Sequence, residues 1–89
     1  MARVVFTQNI QRHVACPASE VAGSSVRAVL DAVFEANPRA RGYVLDDRGA
    51  LRKHMSVFVD GDRIADRVGL SDPVPEGAEV YVFQALSGG

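Results

Sequence analysis

The sequence predicts an α+β fold: a mixed sheet of four to five strands with one main helix packed on one face. Three observations carry that prediction. Val26, Val29, Leu30, Val33 and Phe34 recur at i, i+3, i+4, i+7 and i+8, the stripe of an amphipathic helix. Short runs near both ends, Val4-Val5-Phe6 and Val80-Tyr81-Val82-Phe83, are β-branched and aromatic, as strands are. The chain has 89 residues, 47% of them hydrophobic, which makes one domain of ordinary composition. A chain of that size buries only about 60–65% of the surface its unfolded form exposes, enough for one sheet and one helix.

Taken in order, residues 2–8 read as a strand, with Val4 and Phe6 on one face and Arg3, Val5 and Thr7 on the other. Gln8-Asn9 reads as a tight turn into a second strand over residues 10–16, with Val14 and Cys16 inward and Gln11 and His13 outward. So short a link predicts an antiparallel hairpin. Pro17 ends the pairing because it has no N–H to give. Residues 18–25 are small and polar, and Ser24 or Ser25 supplies a cap for the first turn of the helix. Arg27, Asp31 and Glu35 take the face opposite the apolar stripe, and Asn37-Pro38 stops the helix. A helix in this place fits a crossover between parallel neighbouring strands.

Beyond it, Tyr43-Val44-Leu45 and Ala50-Leu51-Arg52 read as two extended pieces about the turn Asp46-Asp47-Arg48-Gly49, with Gly49 suited to a positive φ. A longer strand covers residues 55–60, with Val57 and Val59 facing one way and Ser56 and Phe58 the other. Asp60-Gly61-Asp62-Arg63 turns the chain and Ile64 starts a short return. Val68-Gly69-Leu70 reads as one helical turn with Leu70 buried. Ser71-Asp72-Pro73 and Pro75-Glu76-Gly77 are turns, and the last strand covers residues 79–84. A hairpin, a helix across one face and further strands make a β-grasp, the ubiquitin-like architecture. The first and last strands are expected as parallel neighbours mid-sheet, with Val80 and Val82 joining Val4, Phe6 and Val57 against the helix.

The bulk numbers exclude several classes of function. A net charge of −1 argues against a nucleic-acid partner, which needs a basic excess. Arg39, Arg41, Arg48, Arg52 and Lys53 cluster in sequence but are diluted by Asp46 and Asp47, as in a solvated loop. No apolar run approaches the roughly 20 residues of a membrane span. No basic start followed by an apolar stretch suggests export, so a cytoplasmic protein is expected. Cys16 is the sole cysteine, so no internal disulfide, four-cysteine zinc site or iron–sulfur cluster can form; it reads as a small buried hydrophobe. Asp60, Asp62 and Asp66 mimic part of a calcium loop without its closing Glu, and a turn explains them better. His13 and His54 are isolated, and no catalytic set, metal site or phosphate-cradling glycine loop can be assembled. No enzyme activity and no permanently bound cofactor are expected.

One stretch remains, Phe83-Gln84-Ala85-Leu86-Ser87-Gly88-Gly89, a strand end running into Gly-Gly. Glycine has no side chain to pack, so this pair adds nothing to a sheet. A frayed end is the plain account. The functional account is access: without Cβ atoms, Gly88 and Gly89 can thread a narrow channel and leave the Gly89 carboxyl open to attack. The final strand, the Leu86-Ser87 stretch and the terminal Gly-Gly resemble the MoaD/ThiS sulfur-carrier family, bacterial relatives of ubiquitin. Ubiquitin itself is a poorer match, because its tail is basic before Gly-Gly and this one is Ala85-Leu86-Ser87.

The resemblance implies a β-grasp domain over residues 1–84 and a flexible reactive tail over 85–89. It implies that an E1-like adenylating enzyme spends ATP on the Gly89 carboxylate, which then becomes a thiocarboxylate. A sulfur-acceptor enzyme, such as a molybdopterin synthase large subunit, would take the sulfur. The pieces between Tyr43 and Arg52 make the chain longer than a minimal thiazole-forming carrier. In that respect it is similar to molybdopterin-synthase small subunits, of molybdenum cofactor biosynthesis, and to cysteine-pathway carriers. Two other readings stay open: a protein modifier joined through Gly89 to lysines of targets, and a non-covalent binding module with an incidental Gly-Gly. Tyr81, Phe83 and Phe58, with Val5 beside them, should point away from the helix. By the resemblance they form, with Leu86 and Ser87, the partner-binding surface. The alternative is that the 43–52 excursion folds over this face as a second small core.

Overall fold

The helical stripe is where the fold closes. In the computed structural model, which describes residues 1–84, the main helix α2 covers Val26–Ala36 and buries all five expected residues, Val26, Val29, Leu30, Val33 and Phe34. Ser25 is the cap: its hydroxyl accepts from the Ala28 amide at 3.1 Å, satisfying one of the donors a helix start leaves free. Beneath α2 lies a sheet of β1 (Ala2–Phe6), β2 (Ser19–Val21), β3 (Met55–Val59), β4 (Asp62–Arg63) and β5 (Glu79–Gln84), in the order β2-β1-β5-β3-β4. β1 and β5 are parallel and central, with Val4 opposite Val80 and Phe6 opposite Val82. Val4, Phe6, Val57, Val80 and Val82 are all buried against the helix side, as their period-two spacing requires. Phe6 meets Phe34 with ring centroids 6.3 Å apart. The expected β-grasp is present.

The opening hairpin is not. Residues 8–13 form a helix, α1 (Gln8–His13), where a turn and strand were expected. The partner of β1 is instead β2, antiparallel, with Ala2 opposite Val21. Gln8, Gln11 and Arg12 are good helix formers, and in α1 only Ile10 is buried. Helical winding turns Ile10 into the core while its polar neighbours stay out. The apparent alternation of Val14 and Cys16 therefore belongs to the connection, in which Cys16 is nevertheless fully buried. β2 runs antiparallel to β1 at one side of the central pair and β3 antiparallel to β5 at the other. α2 thus crosses between strands of like direction that are not neighbours, contrary to expectation.

A second helix was also missed. Pro38 ends α2 and begins α3 (Pro38–Val44), in the first-turn position where its missing N–H costs nothing. Tyr43 and Val44 are therefore helical rather than extended. The turn after them is as read: Leu45 bridges Leu51, and Gly49 has φ 80°. Val44, Leu45 and Leu51 are buried in the main core, so this excursion does not cover the outer sheet face. Arg27, on the polar side of α2, ties it down by donating to the Gly49 carbonyl at 2.9 Å.

The turn after β3 is tighter than expected. Asp60 and Gly61, with φ 50° and 89°, make a two-residue hairpin loop, so the return starts at Asp62 and not at Ile64. Residues 66–70 make the expected single helical turn, closed by the Leu70 amide donating to the Asp66 carbonyl at 3.2 Å, and Leu70 is fully buried as expected.

Candidate functional site

The candidate site is the sheet face away from α2, together with the end of β5. Alternation along β5 sends Val80 and Val82 inward and Tyr81 and Phe83 outward, where they are 37% and 41% exposed. Strand pairing then assembles the patch. Val5 on β1 stands opposite Tyr81, Tyr81 opposite Phe58 on β3, and Phe58 opposite Arg63 on β4, one continuous row across four strands. Phe83 stands opposite Ser56. Val5 and Phe58 are half-buried, and the Arg63 guanidinium lies 5.7 Å from the Phe58 ring centre, a cation–π contact. The three aromatic residues singled out from the sequence are therefore neighbours on one exposed surface. Leu86, Ser87, Gly88 and Gly89 lie outside the described residues.

Charged residues on this face pair across the strands. At the start of β5 Glu79 stands opposite Arg3, which stands opposite Glu20. The Glu79 amide donates to Asp60 Oδ1 at 2.9 Å, which closes the β3–β4 hairpin against β5. Asp60 thus acts as a turn residue. So does Asp66, whose carboxylate accepts from the Ser71 hydroxyl at 2.6 Å and from the Gly69, Val68 and Ser71 amides. These bonds, the hydroxyl foremost, hold its pKa down from 3.8 to about 2. Among the described residues, no three His, Cys, Asp or Glu side chains converge to hold a metal. Burial pushes the Cys16 thiol up, away from the reactive thiolate. No helix among the described residues is long and apolar enough to cross a membrane.

At the far end of β5 the structure brings together residues that the sequence did not. Gln84 is the last paired residue of the strand, opposite Met55. Tyr43 Oη donates to Gln84 Oε1 at 2.9 Å. The His13 ring stacks on Tyr43 with centroids 5.5 Å apart. His13 had read as an outward strand residue and Tyr43 as part of an extended excursion; both are helical. Two missed helices, α1 and α3, thus meet at the end of the last strand. No local pattern announces that meeting, since it joins residues far apart in the chain.

Comparison with known proteins agrees with this geometry. A family model described as the ThiS family matches residues 9–89. Among solved structures, the crystal structure of SAMP1 from Haloferax volcanii superposes with a TM-score of 0.78 at 27% identity, covering 99% of this chain and 98% of that one. CysO in the Amycolatopsis orientalis BexX/CysO complex gives 0.84 at 19% identity over 100% of both chains. Mycobacterium tuberculosis CysO gives 0.81 at 16% identity, over 97% of this chain and 100% of that one. No curated protein sequence matches the chain. The two CysO structures show a shared fold. The family model spans nearly every element from α1 onward, and on that match the chain belongs to the ThiS family.

Proposed function

We propose that the chain is a sulfur carrier whose Gly89 carboxylate is activated by a partner enzyme and converted to a thiocarboxylate. The supporting observation is a coincidence of family and geometry. The family match runs through Gly89, while β5, the last strand before it, is inside the sheet and carries exposed Tyr81 and Phe83. The body offers a surface to grip, and the residues after it carry the reacting atom.

The chemistry explains why a partner is required. A terminal carboxyl titrates near 3.3–3.7 and is an anion at neutral pH. An incoming nucleophile meets negative charge and no leaving group. Transfer of AMP from ATP forms an acyl-adenylate with release of pyrophosphate. Hydrosulfide then attacks the carbonyl carbon, the C–O bond to AMP breaks, and a thiocarboxylate remains. ATP belongs to the adenylating partner of E1-like type. A sulfur-accepting enzyme, of the molybdopterin-synthase or cysteine-forming kind, consumes the product.

The test is intact mass. Incubation with an active adenylating partner, ATP and sulfide is expected to exchange one oxygen for sulfur, and one residue added after Gly89 is expected to abolish the exchange. An unchanged mass with a partner that turns over its own substrate overturns the reading.

A second reading has an observation of its own. The 27% identity is to SAMP1, and another Haloferax volcanii structure of that protein, at 25% identity, is described as a small archaeal modifier protein. Under this reading the acyl-adenylate is taken by a lysine amine of a target. The same incubation with lysine-bearing acceptor proteins distinguishes them: conjugates joined with loss of water favour the modifier, and the thiocarboxylate alone favours the carrier.

A further inference from the structure

We infer that Tyr43, braced by His13, is a positioning residue that aims the reactive tail by holding Gln84. The inference rests on the proposed activation of Gly89. Gln84 is the last described residue before the five that end in Gly89, and it is held in the sheet opposite Met55. Its side chain lies on the same side of the sheet as Val80 and Val82, four and two residues back, at the rim of the core where Met55 is buried opposite it. Apolar packing is weaker there than two residues earlier, since Gln84 is half-buried where Val82 is fully buried.

A polar contact takes over. Tyr43 Oη donates to Gln84 Oε1 at 2.9 Å, a part-buried bond between residues 41 apart in sequence. Tyr43 is itself fixed from two sides. Its ring is stacked on His13, the last residue of α1, with centroids 5.5 Å apart and planes 23° apart. Its helix is pinned at the adjacent residue, where Arg52 Nε donates to the Gly42 carbonyl at 2.9 Å. Arg52 also lies just ahead of β3, whose Met55 pairs with Gln84. Elements α1, α3 and β3 are therefore linked through Tyr43 to Gln84.

The consequence is kinetic. Five residues follow Gln84, and a chain of that length reaches at most about 17 Å. Over so short a reach, the orientation of Gln84 bears on how often the end enters a partner's channel. Fixing that orientation in advance removes an ordering cost from the activated complex. Docking of the body through Tyr81 and Phe83 is a separate contact on the opposite face. The clamp should thus act on kcat for Gly89 activation, and the aromatic face on KM.

Tyr43→Phe keeps the ring and its stack and deletes only the hydroxyl. With the adenylating partner, ATP and sulfide, kcat for thiocarboxylate formation is expected to fall about fivefold, the worth of one hydrogen bond, with KM for the carrier unchanged. Gln84→Ala is expected to do the same, and the double variant to be no worse than either. A Gly-Ser pair inserted after Gln84 uncouples the tail from the sheet; in that background Tyr43→Phe is expected to have no further effect. A merely structural role for Tyr43 would instead lower the melting temperature and act equally in the inserted background, and that result overturns the inference. Wild-type kcat in Tyr43→Phe also overturns it while leaving the carrier reading intact. A wild-type chain that is never activated overturns both.

Discussion

Phe83 is the side chain on which the docking face is most exposed to test. It is 41% exposed and stands next to Gln84, the last described residue. Large apolar side chains are exposed singly on most proteins, but Tyr81, Phe83, Phe58 and Val5 are contiguous by strand register. Phe83→Ala is expected to weaken binding to the adenylating partner by about 1–3 kcal/mol, the range of a moderate anchor. Denaturation midpoints should barely move, because no core contact is lost. Isothermal binding compared with urea melts decides it: a large stability loss with unchanged affinity of the folded fraction would make Phe83 structural. A second residue carries a pH signature. Asp66 is held ionised by the Ser71 hydroxyl and three amides, which lowers its pKa from 3.8 to about 2. A carboxylate with a depressed folded pKa stabilises above its unfolded value, and that contribution is lost as pH falls through the folded one. Asp66→Asn is therefore expected to flatten the fall in stability between pH 3.8 and pH 2, measured by urea midpoints across that window. Identical slopes in the two proteins would show that the turn does not draw on the charge.

At the scale of elements, α2 carries the fold. Leu30 is fully buried in the middle of its stripe. Leu30→Ala removes apolar contact and leaves a cavity, at an expected cost of about 2–5 kcal/mol. Set against a whole-domain stability of about 5–15 kcal/mol, that is a large share, and thermal melts should show it. Ser25→Ala removes the cap bond to the Ala28 amide and should cost about 1 kcal/mol. A melting temperature equal to the parent's for Leu30→Ala would mean α2 is not packed as described. The short helices differ in kind. α1 and α3 bury only two residues or fewer apiece, Ile10 in one and Ala40 with Val44 in the other. Their sequences offered no long stripe to read. Gln8-Asn9 is a fair turn and Tyr43-Val44-Leu45 a fair strand on propensity alone; the burial of Ile10 and Val44 in a core built elsewhere decided both as helices.

The molecule as a whole separates holding from reacting. Its described core closes between Ala2 and Val82, with the central β1–β5 pair buried on the helix side and open on the other. A chain ended after Gln84 is expected to keep a melting temperature close to the full one's, since the described core closes by Val82, and to be inert to ATP and sulfide. A clear drop in melting temperature would show that residues 85–89 pack on the body. This division also marks what could be read without coordinates. The period of 3.6 in residues 26–34 and the period of 2 in the first and last strands determined the sheet-and-helix fold, and the Gly-Gly after β5 marked the chain's end for attention. They also singled out the aromatic face and the candidate reactive end, because each is a repeat within a few residues. Only the tertiary structure decided that residues 8–13 wind into a helix, that β1 pairs with residues 19–21, and that His13 and Tyr43 meet Gln84. Those are pairings between distant segments whose local preferences are nearly balanced, so the energy that settles them is the burial available when the whole chain has closed.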